Sequence, residues 1–172
     1  MQFKKTQQAL ELETQLMYLS TDDELPVRKY KDLDFTPIRS TEGSAGYDLF
    51  ACIPEPIIIY PDEVVKISTG VHIWLDDEEL MDYDVKWCGL LLPRSSNTGC
   101  ILNNTVGLLD SDYQGELFAK WRNVTAEPIT FVTGQKFCQL VIVPAYIAGI
   151  KEVSSFETTT GRAEGGFGST GK

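Results

Sequence analysis

Apolar residues follow a helical spacing only at the start of this chain. Four of them recur every three or four positions, among good helix formers: Ala9, Leu12, Leu16 and Leu19. This spacing predicts an N-terminal helical extension over residues 1–25, docked on the domain or on a partner subunit. The polar segment TDDELP, which ends in a proline, separates the extension from the rest of the chain.

From Val27 onward, short apolar runs rich in β-branched and aromatic residues alternate with turn residues. The runs are PIIIYPDEVVKIST, GVHIWL, VKWCGLLLP, ELFAKWRNV, PITFV and FCQLVIVPAYI. Strands this short, bounded by Gly, Pro, Asn and Asp, predict an all-β sandwich or barrel, which we place at residues 26–160.

One acidic stretch interrupts this pattern. Residues 75–84, LDDEELMDYD, contain six acidic residues in ten. The composition predicts a solvated loop or short helix inserted between two strands. A metal site in this insertion is the alternative interpretation.

Charge narrows the classes of partner. The chain has 172 residues, enough for one domain with one core, and its formal net charge is −10. That charge argues against DNA or RNA as a partner, because binding many phosphates requires clusters of Lys and Arg. A single small anion held by a few local groups remains compatible with it.

The sequence also bears on location. No apolar run approaches the roughly 20 residues that span a bilayer, and the N-terminus lacks the apolar centre of a signal peptide. We expect no membrane partner and a cytoplasmic location, in the cytosol of a cell or of a virus-infected host. A zinc site has little support with one His and no C-x-x-C pair. We interpret the four cysteines as reduced core thiols: Cys52, Cys88, Cys100 and Cys138.

Two polar segments stand next to predicted strands in the first half of the domain. In SAGYDLFA, Asp48 precedes an apolar strand and is typical of a turn. In LLLPRSSNTG, Arg94 comes together with Ser95 and Ser96. A guanidinium fork, two hydroxyls and free backbone amides suit phosphate oxygens, although an ordinary turn is also compatible with them.

The segment NNTVGLLDSDYQGELFAKW carries the most chemistry. Asp110, preceded by an apolar residue in a hairpin context, is a candidate general base that is partly desolvated. Tyr113 offers a flat apolar face suited to packing under a sugar or a base. A hairpin with an Asp-rich turn is the alternative interpretation.

Two more segments complete the set. In GQKFCQLVIVP, Gln135 and Gln139 lie in or beside an apolar strand, where they either satisfy the core or contact a ligand. The tail GRAEGGFGSTGK fits most of a phosphate-loop pattern but ends at Lys172, without the helix that such a loop needs. Either it folds over an anion while Phe167 stacks on a flat ring, or it is a disordered terminus.

Taken in order, these segments resemble the five motifs of the homotrimeric dUTPase family. They are AGYDL at 45–49, PRSS at 93–96, NTVGLLDSDYQGEL at 104–117, GQKFCQLVIVP at 134–144 and RAEGGFGSTG at 162–171. The resemblance extends from about Tyr30 to the C-terminus. It implies a jelly-roll β-barrel, a homotrimer with shared active sites, and a flexible C-terminal lid at 161–172 that crosses to a neighbouring subunit and closes over the nucleotide.

The resemblance also implies an activity, the hydrolysis of dUTP to dUMP and pyrophosphate with Mg²⁺. This reaction keeps uracil out of DNA and supplies dUMP for thymidylate synthesis. Asp110 is then the general base, Tyr113 packs on the deoxyribose and excludes UTP, and Asp48 lies in the outer shell of the metal. The other implied substrate-binding residues are Arg94, Ser95, Ser96 and Gln139 for phosphates and water, Asn104 and Gly107 for uracil, and Arg162, Phe167, Gly168, Ser169 and Thr170 from the lid.

Three alternatives compete with this interpretation. A dCTP deaminase shares the fold and the Arg-Ser-Ser element, but motif three has Asp110 and Tyr113 in the hydrolase pattern. A non-catalytic regulatory module would retain the fold, and the N-terminal helix or the acidic insertion would then bind a further protein. A structural β-sandwich has no reason to combine these five segments.

Overall fold

Two four-stranded antiparallel sheets form the body of the protein. We describe it from a computed structural model, which covers residues 1–19, 34–75, 85–158 and 160–161. The elements in chain order are β1 (Gln2–Lys5), α1 (Gln7–Leu19), β2 (Gly46–Phe50), β3 (Ile57–Ile59), β4 (Val64–Trp74), β5 (Val85–Pro93), β6 (Cys100–Leu102), β7 (Gly107–Leu109), β8 (Glu116–Asn123), β9 (Ile129–Phe131) and β10 (Lys136–Tyr146).

The strand order defines the architecture. The first sheet, sheet A, has the order β1-β4-β8-β6, and the second, sheet B, has the order β2-β10-β5-β7. Strands β3 and β9 form a separate two-stranded ribbon. Eight strands divided between two antiparallel sheets are the arrangement of a jelly roll, so the predicted fold class is confirmed.

The core lies between the sheets because alternate residues of each strand point inward. Along β8, every second side chain is buried from Leu117 to Asn123. Trp121 packs there against Phe131 and Phe137, with ring centroids 5.9 and 6.2 Å away. The apolar runs identified in the sequence therefore supply the core.

The prediction of a helix is wrong for the first residues of the chain. Residues 2–5 form β1, which pairs antiparallel with β4, Gln2 opposite Trp74 and Lys5 opposite Val71. Backbone pairing with a strand distant in sequence overrides the local preference. The predicted helix begins only at Gln7.

Helix α1 has the predicted apolar face for as far as its side chains are described. The hydroxyl oxygen of Thr6 accepts a hydrogen bond from the backbone N–H of Ala9 at 3.1 Å, which is an N-cap. Ala9 and Leu12 are buried against Phe35 and Cys52. The helix therefore docks on the chain's own domain.

Several predictions fall on residues outside the described ranges. These are residues 20–25 of the extension, residues 76–84 of the acidic insertion, and the lid from Arg162 onward. Within the described residues, no helix has the length and apolar character needed to cross a membrane.

All four cysteines are free thiols. Three are buried, whereas Cys88 is only half-buried and so departs from the expectation of a core residue. Burial raises the pKa of the Cys52 thiol to about 12, more than its hydrogen bond with Ser68 lowers it. Burial likewise raises the pKa of the Cys138 thiol. These two groups stay protonated near neutral pH.

Asn123 at the end of β8 is a well-connected buried amide. Its nitrogen donates to the carbonyl oxygens of Ile59 and Glu127 at 2.9 and 2.7 Å, and its oxygen accepts from the Thr125 N–H and hydroxyl at 2.8 and 2.7 Å. Asn123→Ala removes these four hydrogen bonds, and we expect it to lower the free energy of unfolding by about 2–4 kcal/mol. Urea unfolding measures this. The exposed Asn103→Ala is the control; an equal, small change in both variants would contradict the assignment.

Candidate active site

The site residues predicted in the described ranges, apart from Ser96, divide between two pockets. One, of about 450 Å³, is lined by Asp48, Arg94, Ser95 and Gln139, and we call it the β2 pocket. The other, of about 280 Å³, is lined by Asn104, Gly107, Asp110 and Tyr113, and we call it the β7 pocket. Among the described residues, no lining residue belongs to both pockets.

Asp48 is the centre of charge in the β2 pocket. It lies inside β2 and is 7% exposed, so its prediction as a turn residue is wrong. One carboxylate oxygen accepts from Arg94 Nε at 2.8 Å. The other lies 3.0 Å from Lys136 Nζ and 2.9 Å from the donating hydroxyl of Ser40. A buried charge is tolerated here because cations pair with both of its oxygens.

These partners keep Asp48 ionised. Burial by itself raises the pKa of the Asp48 carboxyl, but hydrogen bonds from Lys136 and Ser40 and the charge of Arg94 outweigh it, so the pKa lies below its usual value. The ion pairs therefore stabilise the fold above the unfolded pKa of about 4. That stabilisation is lost as the pH falls through the lower folded pKa.

Arg94 is oriented by the same contact. Because Nε binds Asp48, the terminal nitrogens point away, and Nη1 makes long contacts of 3.5 Å to Ser96 Oγ and to the carbonyl of Lys136. Ser95 and Ser96 are exposed beside it. A guanidinium held in this way presents paired donors to an anion without a conformational search.

Gln139 closes one side of the β2 pocket. Its Nε2 donates to the carbonyl of Pro93 at 3.0 Å, and a Cβ added at Gly46 would lie 2.5 Å from its Oε1. A side chain at position 46 would therefore push the Gln139 amide out of this place. By contrast, Gln135 Oε1 accepts from Val132 N–H at 3.1 Å and serves a turn.

The β7 pocket is built where the chain passes between the two sheets. Strand β7 pairs with β5 in sheet B, whereas β8 pairs with β4 and β6 in sheet A. Motif three is therefore a crossing between sheets, and its prediction as a hairpin is wrong. Thr105, with φ of 64°, makes the turn that precedes Gly107.

Asp110 and Tyr113 occupy the loop after β7. Asp110 is exposed in the single chain, in contrast to the partial desolvation expected. The Tyr113 hydroxyl donates to the carbonyl of Glu116 at 3.0 Å, and its backbone N–H donates to the carbonyl of Asp110 at 3.2 Å. The Tyr113 ring lies so close to Gly115 that a Cβ there would collide with it. The loop thus holds the ring against its own backbone, in the pocket that Asp110 also lines.

The two pockets are lined by neighbouring residues of β10. Gln139 and Leu140 are consecutive in β10; Gln139 lines the β2 pocket and Leu140 the β7 pocket. Consecutive strand side chains point to opposite faces. The two sets of predicted site residues therefore line separate pockets of one copy of the chain.

Among the described residues, no group of three or more His, Cys, Asp and Glu side chains is arranged to hold a metal ion. Both oxygens of Asp48 already accept from cations or a hydroxyl. Its position suits contact with a metal's bound water more than direct coordination.

The sequence analysis did not identify Lys136 and Ser40 as residues of the site. Lys136 did carry a signal, since it lies within motif four, three residues before Gln139. Ser40 carried none, because its contact with Asp48 depends on the bridge between Ile38 and Asp48. The predicted site residues Arg162, Phe167, Gly168, Ser169 and Thr170 lie outside the described residues.

Comparison with known proteins gives consistent matches. The dUTPase family model matches residues 35–171. The Deoxyuridine 5'-triphosphate nucleotidohydrolase of Neisseria gonorrhoeae is 41% identical over 156 residues, which cover 89% of this chain and 99% of that protein. The protein of the same name from Hahella chejuensis is 43% identical over 138 residues, covering 78% and 86%.

Solved structures agree with these matches. A mutant of Staphylococcus bacteriophage 80alpha dUTPase with dUpNHpp has a TM-score of 0.65 and 25% identity, covering 81% of this chain and 93% of that chain. A second structure of 80alpha dUTPase with dUpNHpp has a TM-score of 0.64 and 26% identity, covering 80% and 92%.

Proposed function

This chain belongs to the dUTPase family and hydrolyses dUTP to dUMP and pyrophosphate, and we propose that it does so at sites assembled from different copies of the chain. The observation that carries the shared site is the division of the predicted residues between two separate pockets. A symmetric trimer brings the β2 pocket of one copy to the β7 pocket of another.

The surface supports assembly. The end of β10 and the segment after it are rich in exposed apolar side chains: Tyr146, Ile147, Ile150, Val153 and Phe156. Ile150 and Phe156 are 101% and 89% exposed. Several strongly exposed apolar side chains in one short segment are typical of a surface that another chain covers. We propose that it packs on a neighbouring subunit and directs the lid, residues 161–172, toward that subunit's site.

The chemistry follows from what each pocket offers. Asp110, an exposed carboxylate, accepts the proton of the water that attacks the α-phosphorus. The covering of Asp110 by another copy supplies the desolvation that the single chain lacks. Tyr113 packs on the deoxyribose, which leaves no room for a 2′-hydroxyl, while Asn104 and the backbone at Gly107 bind the uracil edge.

The phosphates bind at the β2 pocket. Arg94, with its Nε already engaged by Asp48, donates from its terminal nitrogens to phosphate oxygens. Ser95 and Ser96 add hydroxyls, and Gln139 holds the water. From the lid, we propose that Arg162 reaches the terminal phosphate, Phe167 stacks on uracil, and Gly168, Ser169 and Thr170 complete the closure.

Mg²⁺ is the cofactor that we propose. A triphosphate next to an acidic protein requires a counter-charge, and Mg²⁺ bound to phosphate oxygens and water supplies it. In the β2 pocket, Asp48 would hold that water in the outer shell, consistent with its buried and ionised carboxylate.

The direct test is release of pyrophosphate from dUTP, dTTP, dCTP and UTP in parallel, with Mg²⁺ and then with chelator. We expect turnover of dUTP alone, lost on chelation and restored by added Mg²⁺. Ammonia release from dCTP would instead favour a deaminase. No turnover of any nucleotide by a folded trimer would leave a regulatory module.

A substitution in motif one tests the geometry of the β2 pocket. In Gly46→Ala, the new Cβ displaces the Gln139 amide and breaks its bond to Pro93. We expect kcat/KM for dUTP to fall about ten-fold or more. Gly43→Ala is the matched control, because no atom of the described residues lies within 4 Å of a Cβ added there. Equal activity of the two variants would show that Gln139 needs no fixed position.

The cellular role that we propose is removal of dUTP in the cytoplasm and supply of dUMP. Residues 1–25 and 75–84 are the proposed surfaces for a further protein partner. Deletion of residues 76–84 that leaves the trimer and every protein interaction unchanged would reject the acidic insertion as such a surface.

A further inference from the structure

A bulge in β4 directs the side chains of Ser68 and His72 toward the end of the loop between β7 and β8, which contains Tyr113. Opposite β8, Ser68 pairs with Phe118 and His72 pairs with Glu116, so β4 uses four residue steps where β8 uses two. Gly70, with φ of 71°, lies within this bulge. Bulges of this kind reorient side chains next to functional sites.

His72 holds the loop through one hydrogen bond. Its Nδ1 lies 2.9 Å from the carbonyl oxygen of Gln114. A carbonyl only accepts, so Nδ1 carries the proton. Gln114 connects Tyr113 to Gly115, and the Tyr113 ring rests against Gly115. The His72 bond therefore fixes the peptide segment on which the Tyr113 ring rests.

Further hydrogen bonds hold the bulge between Ser68 and His72 in position. The Ser68 hydroxyl donates to Glu116 Oε1, while it accepts from the Gly70 N–H at 3.0 Å. Strand β1 covers the other edge of β4: Lys4 pairs with His72, and the Thr6 N–H donates to the carbonyl of Gly70 at 2.7 Å. The bulge is thus held on both sides.

We propose that His72 is a positioning residue that sets the place of Tyr113, and through it the discrimination between dUTP and UTP. This proposal rests on the proposed function. His72 does not line the β7 pocket, so it acts through the loop and not on the nucleotide. Because Tyr113 excludes the 2′-hydroxyl by its position, a ring free to shift admits UTP more readily.

The test compares three substitutions of His72. His72→Asn keeps a donor where Nδ1 lies, His72→Gln places its amide nitrogen where Nε2 lies, and His72→Leu has no donor. We expect the ratio of kcat/KM for dUTP to that for UTP to fall about five-fold in the Leu and Gln variants. The Asn variant should stay within about two-fold of the unaltered chain.

If His72 only stabilises the fold, the three substitutions lower Tm and leave the ratio of kcat/KM for dUTP to that for UTP unchanged in the variants that fold. That result would overturn the proposal. An Asn variant as impaired in the ratio as the Leu variant overturns it too. If the Leu variant does not fold, the comparison of Asn with Gln decides.

A second readout separates this proposal from the proposed function. His72 is the single histidine of the chain, so the imidazole nitrogen signals in a ¹⁵N NMR spectrum belong to it alone. We expect the Nδ1–H tautomer. The Nε2–H tautomer would overturn the hydrogen bond from His72 to the Gln114 carbonyl, whatever the activity of the enzyme. Absence of dUTP turnover by the unaltered chain contradicts the proposed function and leaves the tautomer measurement valid.

Discussion

Asp110→Asn should lower kcat for dUTP by about a thousand-fold, since loss of a general base removes roughly 10²–10⁴ of rate. The amide keeps the size of the side chain but cannot accept the proton of the attacking water. Binding of the non-hydrolysed analogue dUpNHpp should change by less than about three-fold, because the lost interaction belongs to the transition state. Pyrophosphate release and calorimetric titration measure the two quantities.

The same loop provides the control for this substitution. Asp112 is also an exposed acidic residue, two positions after Asp110. Asp112→Asn removes an equal charge and should keep kcat within about three-fold of the unaltered chain. Comparable losses of kcat in the two variants would mean that the rate depends on the negative charge of the loop and not on Asp110 as a general base. Retention of more than about a tenth of kcat by Asp110→Asn would remove Asp110 from the catalytic role.

Arg94→Lys should lower kcat/KM for dUTP by about a hundred-fold, because one lost donor to developing charge costs roughly 10²–10³. Lysine keeps the charge but has no fork, so it cannot bind Asp48 and phosphate oxygens at once. The main change should be in kcat/KM and in the affinity for pyrophosphate. Loss of the Asp48 contact should also lower Tm, which thermal unfolding measures.

Arg122→Lys is the matched control for Arg94→Lys. Arg122 is 46% exposed at its side chain and pairs with Asp62 at 2.9 Å on the surface. An exposed pair contributes little, so activity and Tm should stay near those of the unaltered chain. If Arg94→Lys retained activity within about three-fold, a positive charge alone would suffice at the β2 pocket.

The sequence predicted the strands well where burial dictates the pattern. The run VKWCGLLLP coincides with β5, and the runs at 116–124 and 137–147 contain β8 and most of β10. These segments are apolar because they face the core, and turn residues end them. Strand β1 was missed, since its residues are mostly polar and its partner in β4 is distant in sequence.

The arrangement of the site residues in space was harder to predict from the sequence. Motif resemblance names Asp48, Arg94, Asp110 and Tyr113 in order, but their separation between two pockets depends on which face each strand residue takes. That requires the register of β10 against β2 and β5. The His72 contact was also hidden, because it arises from a bulge whose position no local pattern marks.

Complementation between two inactive variants tests the shared site most directly. Asp110→Asn and Arg94→Lys chains, carrying different tags, are co-expressed, and trimers containing both are purified. If Asp110 and Arg94 act from different copies, a mixed trimer has an intact pair at about one third of its sites. We predict that dUTP turnover recovers to about that fraction. Mixed trimers as inactive as either variant alone would contradict a site built from more than one chain.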